Sequence, residues 1–123
     1  MVADDPTWAD WSEHQLRAQS QVHELCIDPV IYAEFSLAFE SVAATDACVT
    51  ALALRWRELP RAALFLAGRA FVKYRREGGP RHNVLPDFFI GAHAAVLGCG
   101  ILTRDGRRYR RYFPNVALVE PGE

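Results

Sequence analysis

The feature that most constrains this chain is an alternation. Short apolar runs, "VHELCI" (22–27), "LRWREL" (54–59), "GILT" (100–103) and "VALV" (116–119), take turns with longer stretches of helical pattern. Runs of that length suit strands, whereas the longer periodic stretches suit helices. Strands separated by helices pair in parallel, and right-handed crossovers leave few topologies open. The expectation is an α/β fold, a sandwich with a mainly parallel sheet. At 123 residues the chain suffices for one domain around one core. No repeat, linker or low-complexity segment divides it, so residues 1–123 read as a single domain.

The helices carry their own start and stop signals. Residues 4–20 have Asp5 or Thr7 as a cap, Pro6 in the first turn, and Trp8, Trp11 and Leu16 near helical spacing. Asp28-Pro29 reads as N-cap and first helical residue, and the helix is expected to continue through "VIYAEFSLAFESV". A further short helix is expected over 46–53. Pro60 opens a long one, with Leu64, Ala67, Phe71 and Tyr74 on one stripe, and Gly78-Gly79 ends it. Pro86 starts the next, which stops at Gly98. Arg107 to Tyr112 supplies one or two turns before Pro114. The Trp and Phe residues at helical spacing are expected in the core.

Several function classes are disfavoured. The apolar runs fall well short of the roughly 20 residues that span a bilayer. No basic segment followed by an apolar one marks a signal peptide. Cys26, Cys48 and Cys99 are scattered with no CxxC spacing. That pattern fits a reducing cytoplasm rather than a disulfide framework or a zinc ribbon. "GCG" (98–100) precedes a strand, the wrong context for a dinucleotide loop, and no serine has a GxSxG setting. His93 lies six positions after Asp87, off the same helix face, and reads as a packed or partly exposed residue rather than a ligand.

The net charge of −1 hides an asymmetry. Residues 1–60 hold ten acids and three bases, a balance of −7; residues 61–123 hold eleven bases and five acids, a balance of +6. The basic half either faces a polyanion or solvates helix faces, and charge alone favours solvation.

Three acids stand in informative places. Glu34 has Val30, Ile31, Leu37 and Ala38 as helical neighbours, so its carboxylate needs a partner or grazes the surface. Asp87 follows Pro86, where an acid caps a helix start, yet Leu85 and Phe88-Phe89-Ile90 make its surroundings apolar. Asp105 either makes an Asp-Gly turn or sits past a strand end, where open α/β sheets bind ligands. Converging carboxylates raise one another's pKa unless a cation joins them. A hard divalent ion such as Mg²⁺ suits oxygen ligands, activates water and stabilises phosphoryl charge. Arg104, Arg107, Arg108, Arg110 and Arg111 stand nearby to hold a phosphate backbone. That combination describes a metal-dependent nuclease.

The segments "CIDPVIYAEFS", "LPRAALFLAGRAFVKYRREGG", "VLPDFFIGAHAAV" and "ILTRDGRRYRRYFPNVALVEP" together resemble the PIN-domain ribonucleases, in particular VapC-type toxins of toxin–antitoxin systems. The likeness runs through nearly the whole chain from about Asp4. It implies a PIN-like three-layer sandwich, a parallel sheet flanked by helices, and an acidic site for Mg²⁺ or Mn²⁺. It also implies endonucleolytic cleavage of RNA by metal-activated water, inhibition by a small cognate antitoxin, and in many members pairing into a homodimer. By motif, Glu34, Asp87 and Asp105 are the implied catalytic metal ligands, and Thr103 is the supporting hydroxyl beside the last of them. Arg81, Arg104, Arg107 and Arg108 are candidates for RNA contact. The family begins with a central strand ending in a DTN-type motif, whose aspartate is the first ligand. This chain begins "MVADDPTWADW", where Asp4 and Asp5 precede Pro6 and read as capping residues. The expectation is therefore an N-terminally truncated domain without the central strand, with three acids in place of four, weaker metal affinity and an activity in doubt. Two alternatives remain: a non-catalytic PIN fold that binds antitoxin or RNA, and an α/β module for a small molecule or nucleotide.

Overall fold

A computed structural model describes residues 1–2, 24–80, 85–103 and 105–120. The helix expected over 4–20 lies outside the described residues, as do Arg81 and Arg104. Among the described residues there are four short strands, β1 (Cys26–Ile27), β2 (Arg55–Trp56), β3 (Ile101–Leu102) and β4 (Leu118–Val119), and five helices, α1 (Pro29–Ser36), α2 (Val42–Ala51), α3 (Arg61–Arg76), α4 (Leu85–Leu97) and α5 (Arg107–Tyr112).

The pairing is parallel throughout. Cys26 lies opposite Arg55 and Ile27 opposite Trp56. Ile101 lies opposite Leu118 and Leu102 opposite Val119. The two halves meet at a seam. The Leu102 amide donates to Met1 O at 2.7 Å, the Val2 amide donates to Cys26 O at 3.3 Å, and Val2 bridges Leu102 in parallel. The order across the seam is therefore β2, β1, Met1–Val2, β3, β4. Where a missing central strand is expected, two residues occupy the middle position, and Val2 is fully buried there. Among the described residues, the backbone hydrogen bonds that join the halves all run through Met1 and Val2.

Local chemistry accounts for the helix ends. Asp28 caps α1 by accepting from the Ile31 amide at 2.9 Å, with Pro29 next. α1 stops at Ser36 rather than running on to Val42. The Ser36 hydroxyl donates back to Ala33 O at 2.6 Å, and Ser41 then caps a new helix through the Ala44 amide at 3.0 Å. α2 accordingly spans 42–51, earlier than the stretch expected over 46–53. Gly78 (φ +89°) and Gly98 (φ +72°) take the left-handed turns after α3 and α4, as expected of glycine there.

Helix α4 is the centre of packing, against α3, α1 and α5. Phe88 is fully buried within a ring of aromatic neighbours, its centroid 5.3 Å from those of Tyr74 and Tyr112, 5.7 Å from Phe71 and 6.2 Å from Phe113. Ala67, Phe71 and Tyr74 of the expected α3 stripe pack on the core, with Ala63 in place of Leu64. Ala63 and Ala67 are buried while Leu64 is 42% exposed. Phe65 and Trp56 are also exposed, so those two aromatics are not core residues.

One polar contact crosses the interior. Asp28 and His93 are both fully buried, with His93 Nδ1 2.9 Å from Asp28 Oδ2. With Nδ1 carrying its proton, the imidazole donates to the carboxylate, and both aspartate oxygens are engaged. His93 Nε2 has no hydrogen-bond partner among the described residues. Truncating Asp28 removes a helix cap and leaves a buried imidazole donor without its acceptor. Asp28→Ala is expected to lower the unfolding free energy by about 2–4 kcal/mol in urea titrations, and Asp28→Asn, which keeps an acceptor, by less.

Candidate functional site

The strands end on one side of the sheet, and a cleft of about 600 Å³ opens there. Thr103 directly follows β3, where its amide donates to Val119 O at 3.0 Å. Its buried hydroxyl accepts from the Asp105 amide at 3.2 Å and holds the turn that presents Asp105. Gly106 makes the turn compact: a β-carbon there would stand 2.4 Å from Glu120 Oε1 and 2.7 Å from Leu118 Cδ1. Asp87 enters from the first turn of α4. Asp87, Thr103 and Asp105 line this one cleft with Arg107 and Arg108. Glu34 sits half-buried on α1 and is not among the described residues that line it. Among the described residues no three His, Cys, Asp or Glu side chains form a metal-binding group.

The two aspartates differ in environment. Burial pushes the Asp87 carboxyl above the ordinary carboxylate range. The Arg108 ion pair and the Tyr109 hydroxyl, donating at 3.3 Å, pull the other way, and the charge of Asp105 adds to the rise. Asp105 is more exposed and is held down to about 2 by the Arg107 guanidinium. Arg107 grips it as a fork, Nε to Oδ1 at 2.9 Å and Nη2 to Oδ2 at 2.6 Å, and the Arg107 amide adds a contact at 3.1 Å.

The four arginines of α5 are thus not a free cationic surface. Arg107 pairs with Asp105, Arg108 with Asp87, Arg110 with Glu120, and Arg111 with Glu77 at 3.1 Å. Tyr74, Glu77, Tyr109 and Tyr112 complete the wall and were not expected from the sequence. The signal for two of them is present: Tyr109 and Tyr112 stand three apart on α5, one face of a helix. Tyr74 and Glu77 reach the cleft only through the packing of α3 on α4.

The donor set is two carboxylates that feel each other's charge and one hydroxyl, all hard oxygen. That chemistry fits a divalent ion of the Mg²⁺ or Mn²⁺ kind and not a soft metal. A cation bound there would compete with Arg107 and Arg108 for the same oxygens.

The shifts fix signs for stability. Asp105, depressed when folded, contributes stability that is present above its unfolded pKa and is lost as pH falls from about 4 towards 2. Asp87, raised when folded, works oppositely: its contribution is full below the unfolded pKa and fades as pH rises through its folded value. Asp87→Asn is therefore expected to melt no lower than the wild type at neutral pH, whereas Asp105→Asn melts lower. Differential scanning calorimetry on the two variants checks both signs.

Comparison with known proteins adds the fold's relatives. No family model matches the chain, and no curated protein matches it. Solved structures do. A chain of the VapBC2 complex from Rickettsia felis bound to a DNA fragment from their promoter superposes with a TM-score of 0.67 at 16% identity, over 93% of this chain and 87% of that one. A chain of VapBC-1 from nontypeable Haemophilus influenzae gives 0.67 at 14% identity, over 85% and 83%. A chain of DNA-bound VapBC from Salmonella typhimurium gives 0.65 at 20% identity, over 90% and 84%. The chain has the fold of these VapBC chains, the α/β arrangement of parallel strands flanked by helices expected from its sequence.

Proposed function

We propose that this chain is a PIN-domain protein of the VapC type, a metal-dependent endoribonuclease whose partner is a small antitoxin. The observation that carries the reading is the meeting of Asp87, Thr103 and Asp105 in one cleft past the strand ends, in a chain with the fold of VapBC proteins. These acids are far apart in sequence, and each stands where the resemblance implies a ligand. Mg²⁺ or Mn²⁺, when bound, would supply a Lewis acid for the phosphoryl oxygens and lower the pKa of a water.

The chain's own residues do the rest. Asp87 and Asp105 would hold the cation; Glu34 of α1, the third acid that the resemblance implies, does not line this cleft. Thr103 keeps the Asp105 turn in place. Arg107 and Arg108, once released from the carboxylates, are positioned to grip a phosphate of the RNA backbone. Release of Arg107 costs little, because its ion pair is largely solvent-exposed. Arg108 is more enclosed and keeps a cation–π contact to the Tyr74 ring, with its guanidinium carbon 5.7 Å from the centroid. The antitoxin and a pairing of two copies belong to the same reading.

A second reading is favoured by one observation. Both cleft carboxylates are neutralised by guanidinium groups, so the cleft as built suits a module that binds RNA or antitoxin without cutting. Cleavage assays on structured RNA separate the two. The nuclease reading expects cleavage with Mn²⁺ that stops with EDTA and in Asp87→Asn and Asp105→Asn. Salt-dependent RNA binding without cleavage, in wild type and variants alike, selects the binding module instead. Arg107→Gln is expected to bind Mn²⁺ several-fold more tightly than the wild type by isothermal titration calorimetry, since it removes the competing guanidinium from Asp105.

A further inference from the structure

The acid cleft extends beyond the two aspartates. One turn further along α5 than Arg107 and Arg108, Arg111 and Tyr112 line the same cleft, and Glu77 and Gly79 join them from the end of α3. Glu77 organises this part of the wall. Its Oε2 lies 3.1 Å from Arg111 Nη2, and its Oε1 accepts from Arg111 Nε at 3.3 Å and from the Tyr112 hydroxyl. The Tyr112 hydroxyl and the Arg111 guanidinium hold the Glu77 carboxyl below its ordinary range, so the group is anionic at neutral pH. The Arg111 guanidinium carbon stands 5.7 Å from the centroid of the Tyr112 ring. Tyr112 meets the Tyr74 ring edge-on, with centroids 5.9 Å apart. A β-carbon at Gly79 would stand 2.3 Å from the Tyr74 ring, so glycine lets the 78–79 turn close on that wall.

We propose that Arg111, held by Glu77 beside Tyr112, reads a guanine base of single-stranded RNA, the base that flanks the phosphate at the acids. This deepens the reading given above and rests on RNA being the ligand of the cleft. The contact with Glu77 uses Nε and one N–H of Nη2. The N–H groups left on Nη1 and Nη2 form the flat end of the guanidinium, and two donors side by side match the O6 and N7 acceptors of guanine. Adenine presents its N6 amino donor where guanine has O6, and pyrimidines have no N7. One turn of α5 rises only about 5.4 Å, so the base read at Arg111 is a near neighbour of the phosphate at Arg107.

A backbone phosphate also accepts from a guanidinium, but Glu77 decides against it here. A carboxylate beside the site repels the charge of a phosphate and does not oppose a neutral base. The same carboxylate fixes the plane of Arg111, which a two-point contact needs and a simple charge contact does not. Tyr112 and Tyr74 add an aromatic wall, the kind of surface on which unpaired bases stack. Glu77 acts through Arg111 and is a positioning residue.

The test measures fluorescence anisotropy of labelled single-stranded RNA hexamers with the full chain in EDTA, so binding is read whether or not the chain cuts. Hexauridine is compared with hexamers that carry one central guanine, adenine or 7-deazaguanine. The guanine hexamer is expected to bind about tenfold more tightly than the other three, the scale on which one two-point contact discriminates. Arg111→Gln is expected to abolish that preference. Glu77→Gln is expected to move two readouts in opposite directions: the guanine preference shrinks several-fold, while hexauridine binds more tightly because a negative charge has gone. A merely structural Glu77 would weaken both. Equal affinity for all four hexamers, or no measurable binding, would overturn the proposal. So would 7-deazaguanine bound as well as guanine, or an Arg111→Gln variant that weakens every hexamer alike with the preference intact, the mark of a phosphate contact. Mn²⁺ added to the same hexamers reports on the nuclease reading separately. A guanine preference without any cut upholds the base site and removes the catalysis, whereas cuts placed without regard to the guanine overturn the base site.

Discussion

The buried contact between Asp28 and His93 is the constraint on which the rest of the molecule rests. It ties the junction of β1 and α1 to the middle of α4, with neither side chain reaching solvent. A carboxylate and an imidazole placed so deep are tolerated only in a fixed geometry, because each loses its water and gains in return only the other and, for Asp28, the Ile31 amide. α4 is consequently not free to slide. It carries Asp87 one turn from its start, and its other faces receive α3 and α5. The position of the cleft follows from a contact made well away from it.

The second organising feature is charge pairing. An acidic first half and a basic second half might be expected to offer two surfaces to two partners. Each arginine of α5 instead meets a carboxylate, and all four acids, Glu77, Asp87, Asp105 and Glu120, come from the basic half itself. Such exposed pairs contribute little stability individually. Their effect is on what the cleft presents: a surface whose cations and anions are mutually satisfied until a stronger competitor arrives.

Much of the fold was legible because its signals are local. Asp28-Pro29, Gly78-Gly79 and Gly98 mark helix ends by chemistry that acts within a few residues, and "RRYRRY" forms the helix its spacing suggests. Errors arose where local patterns allow two outcomes. α1 ends at Ser36 although the apolar pattern runs on, because a hydroxyl bond inside the last turn and a new cap at Ser41 compete with continuation. The α3 stripe departs from its expected course at one end only, where small Ala63 rather than Leu64 is buried. The candidate site was legible in part: of the residues named through the resemblance, Asp87, Thr103 and Asp105 share a cleft, whereas Glu34 does not line it. What could not be read was who pairs with whom. His93 finds Asp28 across 65 positions and Arg108 finds Asp87 across 21, and no local rule selects such partners.

Gly106 carries a consequence of its own. With no side chain in the way, the edge of the sheet at Leu118 and Glu120 closes directly onto the loop that presents Asp105. Glu120 also holds Arg110, one turn along α5. The rim of the molecule is thereby geared to the cleft. A larger side chain at 106 would push against positions 118 and 120, so related chains should vary these three positions in concert.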